Sequence, residues 1–599
     1  MKKIAALMLC LVFALSAFAG CSRAENDNGA IIHMLLSSEI KNFDPATAYV
    51  DADAVKVLGL LYEGITKIDA DGDVSNALAD DITISEDEDR QEYRMLIELK
   101  STKWSDGTPV SADDFIFAWK RILQPDFSSD AAVLLYDIKN AKAAKEGVAG
   151  VSIDDVGITA PDSDLLEIEF EGPINYDHFL ELLASPALYP LREDKVSKPL
   201  TDDDGVVQYD ENDQMLYDPT WATKATMMVT NGQFAVKTMD EEKENKTYVL
   251  ERNKYYRLKG EDGENELKFV KPHKIVIHYE YLGRDGSGLQ GLLDAYNNGE
   301  IFYLSNLPLD QIEANRKDLK ISDLFSTHTF MFNRENELFD SAEVRRALSL
   351  ALDREHIVSI TGGTNKAATG IVPTPVYNTK AETSFREKQG DVLATTANLD
   401  EAKSLAKSAS GDKTITLVCR DYTLNGTDEL VAKYAKEQWE QLGFTVKVQA
   451  LDRADYAKAI ENGEYDVLSI DYQSNSTDAI GTLAPFAIEY SGAARDTLNN
   501  DYSAKPNLSG YDSEKYSALI KEALALAPYS AERAAKLAEA EKLLLEDMAV
   551  IPLQFNTEYY LISDDLSKVG SSIFGFRYFN KAKLKGYEKF LETEAEPQA

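Results

Sequence analysis

KWSDGTPVSADDFIFAWKRIL, residues Lys103 to Leu123, holds a turn, an extended approach and a capped helix in one short run. Asp106-Gly107 is a turn dipeptide, and Thr108-Pro109-Val110 brings the backbone up extended, because the residue before a proline avoids the helical region. Ser111 then stands as N-cap with Asp114 three positions on and acids in the first turn. Phe115, Ala118, Trp119 and Ile122 fall at i, i+3, i+4 and i+7, so one helix face is buried, while Lys120 and Arg121 are expected to look outward. Each device alone is an ordinary turn or helix; the sequence of devices is what carries information.

The string closely resembles the Lys-Trp-Ser-Asp-Gly-Thr-Pro-Val-Thr-Ala-Asp-Asp element of the family 5 extracellular solute-binding proteins, the oligopeptide-binding receptors of ABC importers. The resemblance runs along nearly the whole chain in order and spacing. Before the string come Phe43-Asp44-Pro45 and Leu61-Tyr62-Glu63-Gly64. After it come Asp137-Ile138-Lys139-Asn140-Ala141, Thr230-Asn231-Gly232-Gln233-Phe234, Arg252-Asn253-Lys254-Tyr255-Tyr256, and Phe332-Asn333 leading into the run from Ser341 to Glu355. That last run is amphipathic, with Val344, Ala347, Leu348 and Ala351 inward behind a Ser341 N-cap, and reads as a core helix.

The resemblance implies an α/β, two-lobed, periplasmic-binding-protein-like fold of type II with an extra subdomain in the first lobe and a ligand cleft between the lobes. The first lobe would comprise residues 31–305 plus 553–599, with the inserted subdomain at about 71–190, and the second lobe 306–552. Gly299-Glu300 followed by Asn306-Leu307-Pro308 would form one crossover and Ile551-Pro552-Leu553 the other. Two crossovers favour a hinge that closes over ligand.

The N-terminus speaks to compartment. Lys2 and Lys3 precede an apolar stretch from Ile4 to about Ala19, the charged and short apolar regions of a secretory signal rather than a spanning helix. The stretch ends Phe18-Ala19-Gly20-Cys21, which resembles a lipoprotein box with Phe18 where leucine is usual. Residues 1–21 would then be a lipoprotein signal peptide ending at the lipidated cysteine, Cys21, and 22–30 a flexible tether; plain secretion with an incidental cysteine is the alternative. Cys10 leaves with the signal and Cys21 is acylated, so Cys419 remains alone and no intramolecular disulfide is expected.

Composition bounds the rest. A chain of 599 residues with 44% hydrophobic content can bury large cores, and a formal charge of −39 repels phosphate backbones, so nucleic acid is not an expected partner. Apart from the signal, no run approaches the ~20 apolar residues of a membrane span. No G-x-S-x-G, H-E-x-x-H, C-x-x-C or P-loop occurs. His33, His178, His273, His278, His328 and His356 lack ligand spacing and read as surface or satisfied core histidines, so neither catalytic residues nor metal nor cofactor is expected.

The clearest periodic unit lies late: strand Ile415–Val418, helix Asp428–Leu442, strand Phe444–Val448, helix Ala454–Asn462 and strand Asp466–Ile470. This βαβαβ pattern closes into a parallel sheet, and such sheets bind ligands outside their strand ends. In the family, extended peptides pair their main chain with protein strands, and the resemblance places the run from Tyr465 to Asp478 at that pairing strand. Main-chain contacts would come from Asp471, Tyr472 and Gln473, faced by Leu36, Ser37 and Ser38. The family's usual string there is Gly-Trp-x-x-Asp-Tyr-x-Asp-Pro, whose aspartate pairs with the peptide's α-ammonium. Here the tryptophan position falls on Tyr472, the aspartate on Asn475, the second acid on Asp478 and the proline on Ala479. An asparagine cannot neutralise a desolvated cation, and an uncompensated buried charge costs about 3–5 kcal/mol. Either Asp471 or Asp478 takes over, or the ligand lacks a free N-terminus, or the ligand is not a peptide.

The expected protein is thus an extracytoplasmic solute-binding lipoprotein at the cell membrane, on the periplasmic face or cell surface. It would capture oligopeptides as a monomer and deliver them to ABC transporter permease subunits. A peptide-sensing receptor, or a binder of a non-peptide solute in the same fold, is the alternative; a secreted hydrolase is the rival from another class.

Overall fold

The computed structural model describes residues 29–586 apart from 37–38, 41, 70, 203, 210–214, 240–245, 257–269, 280–292, 306, 308, 381–382, 422–425, 494, 497–500, 503–508 and 576. The expected signal and tether up to residue 28, Cys21 with them, and Ser37, Ser38, Asn306 and Pro308 lie outside the described residues.

Helix α1, Ala112–Ile122, forms as its sequence dictates. The Ser111 main-chain N–H donates to Asp114 Oδ2 at 2.8 Å, and Trp104 Nε1 donates to the same oxygen at 3.0 Å. Phe115, Ala118, Trp119 and Ile122 are buried. Arg121 does not look outward as expected: its guanidinium forks onto Asp44 at 3.0 and 2.7 Å, because the bidentate match to that buried carboxylate is better than hydration. Phe43-Asp44-Pro45 is thereby tied to α1.

A second pair of strings meets in the same way. Asn231 donates to the Glu63 carbonyl at 2.9 Å and accepts from the Glu63 N–H at 3.1 Å. A Cβ on Gly232 would lie 2.5 Å from the Leu61 carbonyl carbon, which explains why glycine follows that asparagine. The scattered strings are therefore contact partners that weld this side of the molecule.

One large sheet runs through the protein. Its strands are β1 (Ile31–Leu35), β2 (Phe234–Thr238), β3 (Thr247–Arg252), β4 (Lys274–His278), β5 (Tyr303–Ser305), β6 (Lys320–Phe332), β7 (Thr414–Arg420), β8 (Thr445–Leu451), β9 (Val467–Gln473) and β10 (Val550–Ile562), in the order β8-β7-β9-β6-β10-β5-β1-β4-β3-β2. A separate four-stranded sheet, 79–87, 92–99, 165–169 and 158–162, carries α1, and helix α2 (Tyr176–Leu182) follows it. Helices α3 (Thr427–Glu440) and α4 (Arg453–Asn462) join β7, β8 and β9, with β7 parallel to both neighbours, as the periodicity predicts.

Strands β6 and β10 lie side by side, antiparallel, at the middle of the sheet. Their register is regular from Lys320↔Tyr560 to Asp323↔Thr557 and resumes at Thr327↔Phe555, leaving residues 324–326 opposite Asn556 alone. Such a bulge bends and twists a sheet locally. The run from Ser341 clamps one end of β10: Arg345 Nε donates to the Met548 carbonyl at 3.0 Å and Arg354 Nε to the Pro552 carbonyl at 2.8 Å.

Candidate functional site

The site is built on the C-terminal half of β9. β6 pairs with all of β9, from Phe332↔Val467 to Ser326↔Gln473, whereas β7 reaches only Val467 and Leu468. Beyond Leu468 that second edge meets no strand among the described residues. The Ser469 carbonyl accepts from the Tyr456 hydroxyl at 2.6 Å on that side. By the two-residue period of a strand, Asp471 and Gln473 turn their main-chain groups the same way, and among the described residues no main-chain partner meets them there.

The following loop is sunk in the protein, with Ser474, Asn475, Ser476, Thr477 and Asp478 all buried. It is held by its own polar groups. Ser474 N donates to the Phe325 carbonyl at 2.7 Å, Ser474 Oγ to the Ser476 carbonyl at 2.9 Å, and Ile480 N to Asp478 Oδ1 at 3.0 Å. Tyr472 donates its hydroxyl to the Thr482 carbonyl at 2.9 Å and tilts against Phe486, ring centres 5.1 Å apart. Leu36 is buried, and its N–H donates to the His278 carbonyl at 2.9 Å.

The two acids named as possible replacements for the missing charge are both engaged. Asp471 takes Arg420 Nη2 at 2.7 Å, His328 Nδ1 at 2.8 Å and Asn556 Nδ2 at 2.8 Å. Burial would raise its pKa, but Arg420 and His328 prevail and hold the carboxyl far below the usual range. Burial likewise opposes charge on His328, yet the Asp471 carboxylate outweighs it and the imidazole titrates above its ordinary value. Asp478 Oδ2 lies 2.9 Å from Arg533 Nη2 and 3.6 Å from His178 Nε2.

Asn475 is different. It is 3% exposed and neither atom of its amide has a hydrogen-bond partner. Its neighbour is Asp130, which opens the short helix Asp130–Leu135 from the other side of the gap. Burial pushes the Asp130 carboxyl up to about 7, opposed by Asn475 and by its own main-chain N–H. Burial, and then this carboxylate, push the Tyr472 hydroxyl well above its ordinary value.

Around this site the two sides touch. The Ser129 N–H donates to the Gly492 carbonyl at 3.0 Å, and Tyr529 donates to Glu181 Oε2 on α2 at 2.5 Å. Lys142 Nζ sits 3.8 Å from the Tyr490 ring centre, and Arg453 lies 3.6 Å from Asp51. Asp130, Glu181, Arg420, Tyr529 and Arg533 were not singled out by the sequence. A surface groove of about 720 Å³ lined by Asn333, Asn336, Tyr465 and Asp466 lies at the opposite end of β9. Among the described residues no set of three His, Cys, Asp or Glu could hold a metal ion, and no helix is long and apolar enough to cross a membrane.

Residues 73–494 match the sequence profile of the bacterial extracellular solute-binding proteins, family 5 Middle. The oligopeptide-binding protein OppA of Bacillus subtilis is 26% identical, over 98% of this chain and 100% of the relative. The structure of Listeria monocytogenes OppA bound to peptide superposes with a TM-score of 0.74 at 21% identity, covering 93% of this chain and 99% of that one. The murein tripeptide binding protein MppA of Escherichia coli gives 0.72 at 22% identity, covering 93% and 98%, whereas its unliganded open form gives only 0.53 with the same identity and coverage. These likenesses fix a two-lobed α/β fold. The relatives are binding proteins and not enzymes. This chain belongs to the family 5 bacterial extracellular solute-binding proteins.

Proposed function

We propose that the protein captures oligopeptides between its lobes and delivers them to the permease of an ABC importer, whose ATP drives transport. The observation that carries this reading is the half-open edge of β9. An extended peptide would add there as a strand, pairing with the main chain at Asp471 and Gln473, with Tyr472, whose own main chain faces β6, between them, so that affinity comes from groups every peptide possesses. Leu36, Ser37 and Ser38 would close on it from the first lobe, with Asn475 and Asp478 at one end. The peptide-binding relatives and the peptide-bound fold neighbour support the same reading.

The lobes in this proposal are residues 31–305 with 553–599, carrying the subdomain at 71–190, and residues 306–552. The bulge of residues 324–326 opposite Asn556 is where bending would concentrate. Calorimetry with a mixture of random pentapeptides tests capture: micromolar or tighter binding is expected, and absence of heat at every concentration would overturn the peptide assignment.

Lipidation at Cys21, a single-chain working form and a place on the outer face of the cell membrane complete the proposal. Cys21→Ala should move the protein from the membrane pellet to the soluble fraction with peptide affinity unchanged. A variant that still pellets would refute the anchor.

A further inference from the structure

Buried acids in this protein have cations or hydrogen-bond donors beside them; Asp114, for one, takes the Ser111 N–H and Trp104 Nε1. Asp53 and Glu558 share Lys56, at 3.1 and 3.3 Å, and Arg577 adds a second cation to Glu558. Glu541 has Arg386, Asp428 has Arg420 and Asp478 has Arg533. Asp130 breaks the pattern. Its Oδ1 is buried without a hydrogen-bond partner, and no cation among the described residues pairs with it. Directly beside it the Asn475 amide is buried with both polar atoms unpartnered.

Three orphaned polar atoms at one point, Asp130 Oδ1 and both of the Asn475 amide, drawn from chain segments 345 residues apart, are too costly to leave in a folded protein unless something fills them. Water could satisfy hydrogen bonds but would leave the charge. A primary ammonium would satisfy both, because it has three N–H donors to share between the two oxygens while its charge offsets the carboxylate.

We propose that Asp130 is the charge partner for an alkylammonium group of the ligand, received across the gap from Asn475. The residue acts from the first-lobe side, so the cation would bridge the two lobes and its capture would be coupled to their contact. That the ammonium belongs to a peptide rests on the functional reading above. The chemistry itself admits two sources, a peptide's α-ammonium and a lysine side chain.

Calorimetry on wild type and Asp130→Asn decides the matter with four probes: lysine-free random pentapeptides with free N-termini, the same peptides N-acetylated, N-acetylated peptides containing one lysine, and spermidine. Wild type should bind at least one ammonium-bearing peptide set tenfold or more tightly than the N-acetylated lysine-free set. Whether the first or third set does so identifies the source. Asp130→Asn should lose at least tenfold on that set, leave the N-acetylated lysine-free set unchanged, and raise the melting temperature of the unliganded protein, which a merely structural acid would lower. Adding Asn475→Asp to Asp130→Asn should restore the preference.

If wild type binds the N-acetylated lysine-free peptides as tightly as the others, or Asp130→Asn changes nothing, the ammonium site is wrong while peptide capture stands. If no peptide set binds but spermidine does, and Asp130→Asn abolishes that, the ammonium site stands and the peptide reading falls. No binding of any probe overturns both.

Discussion

Arg533 Nη2 sits 2.9 Å from Asp478 Oδ2, with each side chain only 5% exposed. The pair is a closed unit: Asp478 also caps Ile480 through its other oxygen, so its charge is spent within the protein. Removing one member of such a pair strands the other in a poorly solvated place. Arg533→Met should therefore destabilise the protein by roughly 3–5 kcal/mol. A chemical denaturation midpoint unchanged from wild type would show that Asp478 finds solvent or another partner.

The Asp471–His328 pair sets a window of pH. Asp471 is held below its unfolded value of about 3.9, so its contribution is present above that pH and lost as pH falls through the folded value. His328 is held above its unfolded value of about 6.5, so its contribution is complete below 6.5 and lost as pH rises through the folded value. Stability from the pair is greatest between about pH 4 and 6.5. Melting temperatures across this range and up to pH 9 should show an alkaline decline in wild type that His328→Gln flattens. Equal slopes in both proteins would assign the decline elsewhere.

Asp130 has the opposite sign. Its carboxyl titrates near 7 in the folded state and near 4 when unfolded, so it costs stability increasingly as pH rises from about 4 to 7. The groups facing it, the Asn475 amide and the Tyr472 hydroxyl, carry no positive charge to offset this. Asp130→Asn should stabilise the unliganded protein by roughly 1–3 kcal/mol at pH 8 and by almost nothing at pH 4. Paired thermal melts at the two pH values check it, and a destabilised variant at pH 8 would contradict the argument.

Gly492 controls how closely the two sides approach. Its φ is +65°, and a Cβ there would lie 1.7 Å from the Ser129 carbonyl oxygen. Gly492→Ala should leave both lobes folded but prevent this contact, weakening peptide binding by at least about tenfold, or 1.4 kcal/mol. Small-angle scattering should show wild type shrinking on peptide addition and the variant failing to do so. A variant that contracts normally would mean that closure does not pass through this contact.

The βαβαβ run was legible because alternating Val446 and Val448 and the helical spacing in 427–440 are local signals that packing did not override. The Ser111–Asp114 cap was legible for the same reason. Arg121 was misread because helical spacing says which face a residue occupies but not that Asp44, 77 positions earlier, waits beside it. Asn475 could be flagged as a missing charge from the order of residues after the strand. Asp130 could not. It stands in Pro125-Asp126-Phe127-Ser128-Ser129-Asp130, a string without a local signal for a site, and the burial of its Oδ1 without a cation exists only once chain segments far apart in sequence meet. Asp471 and Asp478 were singled out, but their partners Arg420, His328 and Arg533 are too dispersed to be paired by inspection.

Strand β10, residues 550–562, lies between β5 and β6, yet it is synthesised long after both of them. Until it arrives, each half of the large sheet ends in a raw edge, β5 on one side and β6 on the other, both able to pair with the wrong chain. The nascent polypeptide therefore cannot complete its sheet progressively from the N-terminus, and must be kept from aggregating until β10 has been made. The strand that joins the two halves of the sheet is also the keystone whose late insertion commits the whole sheet to its native order.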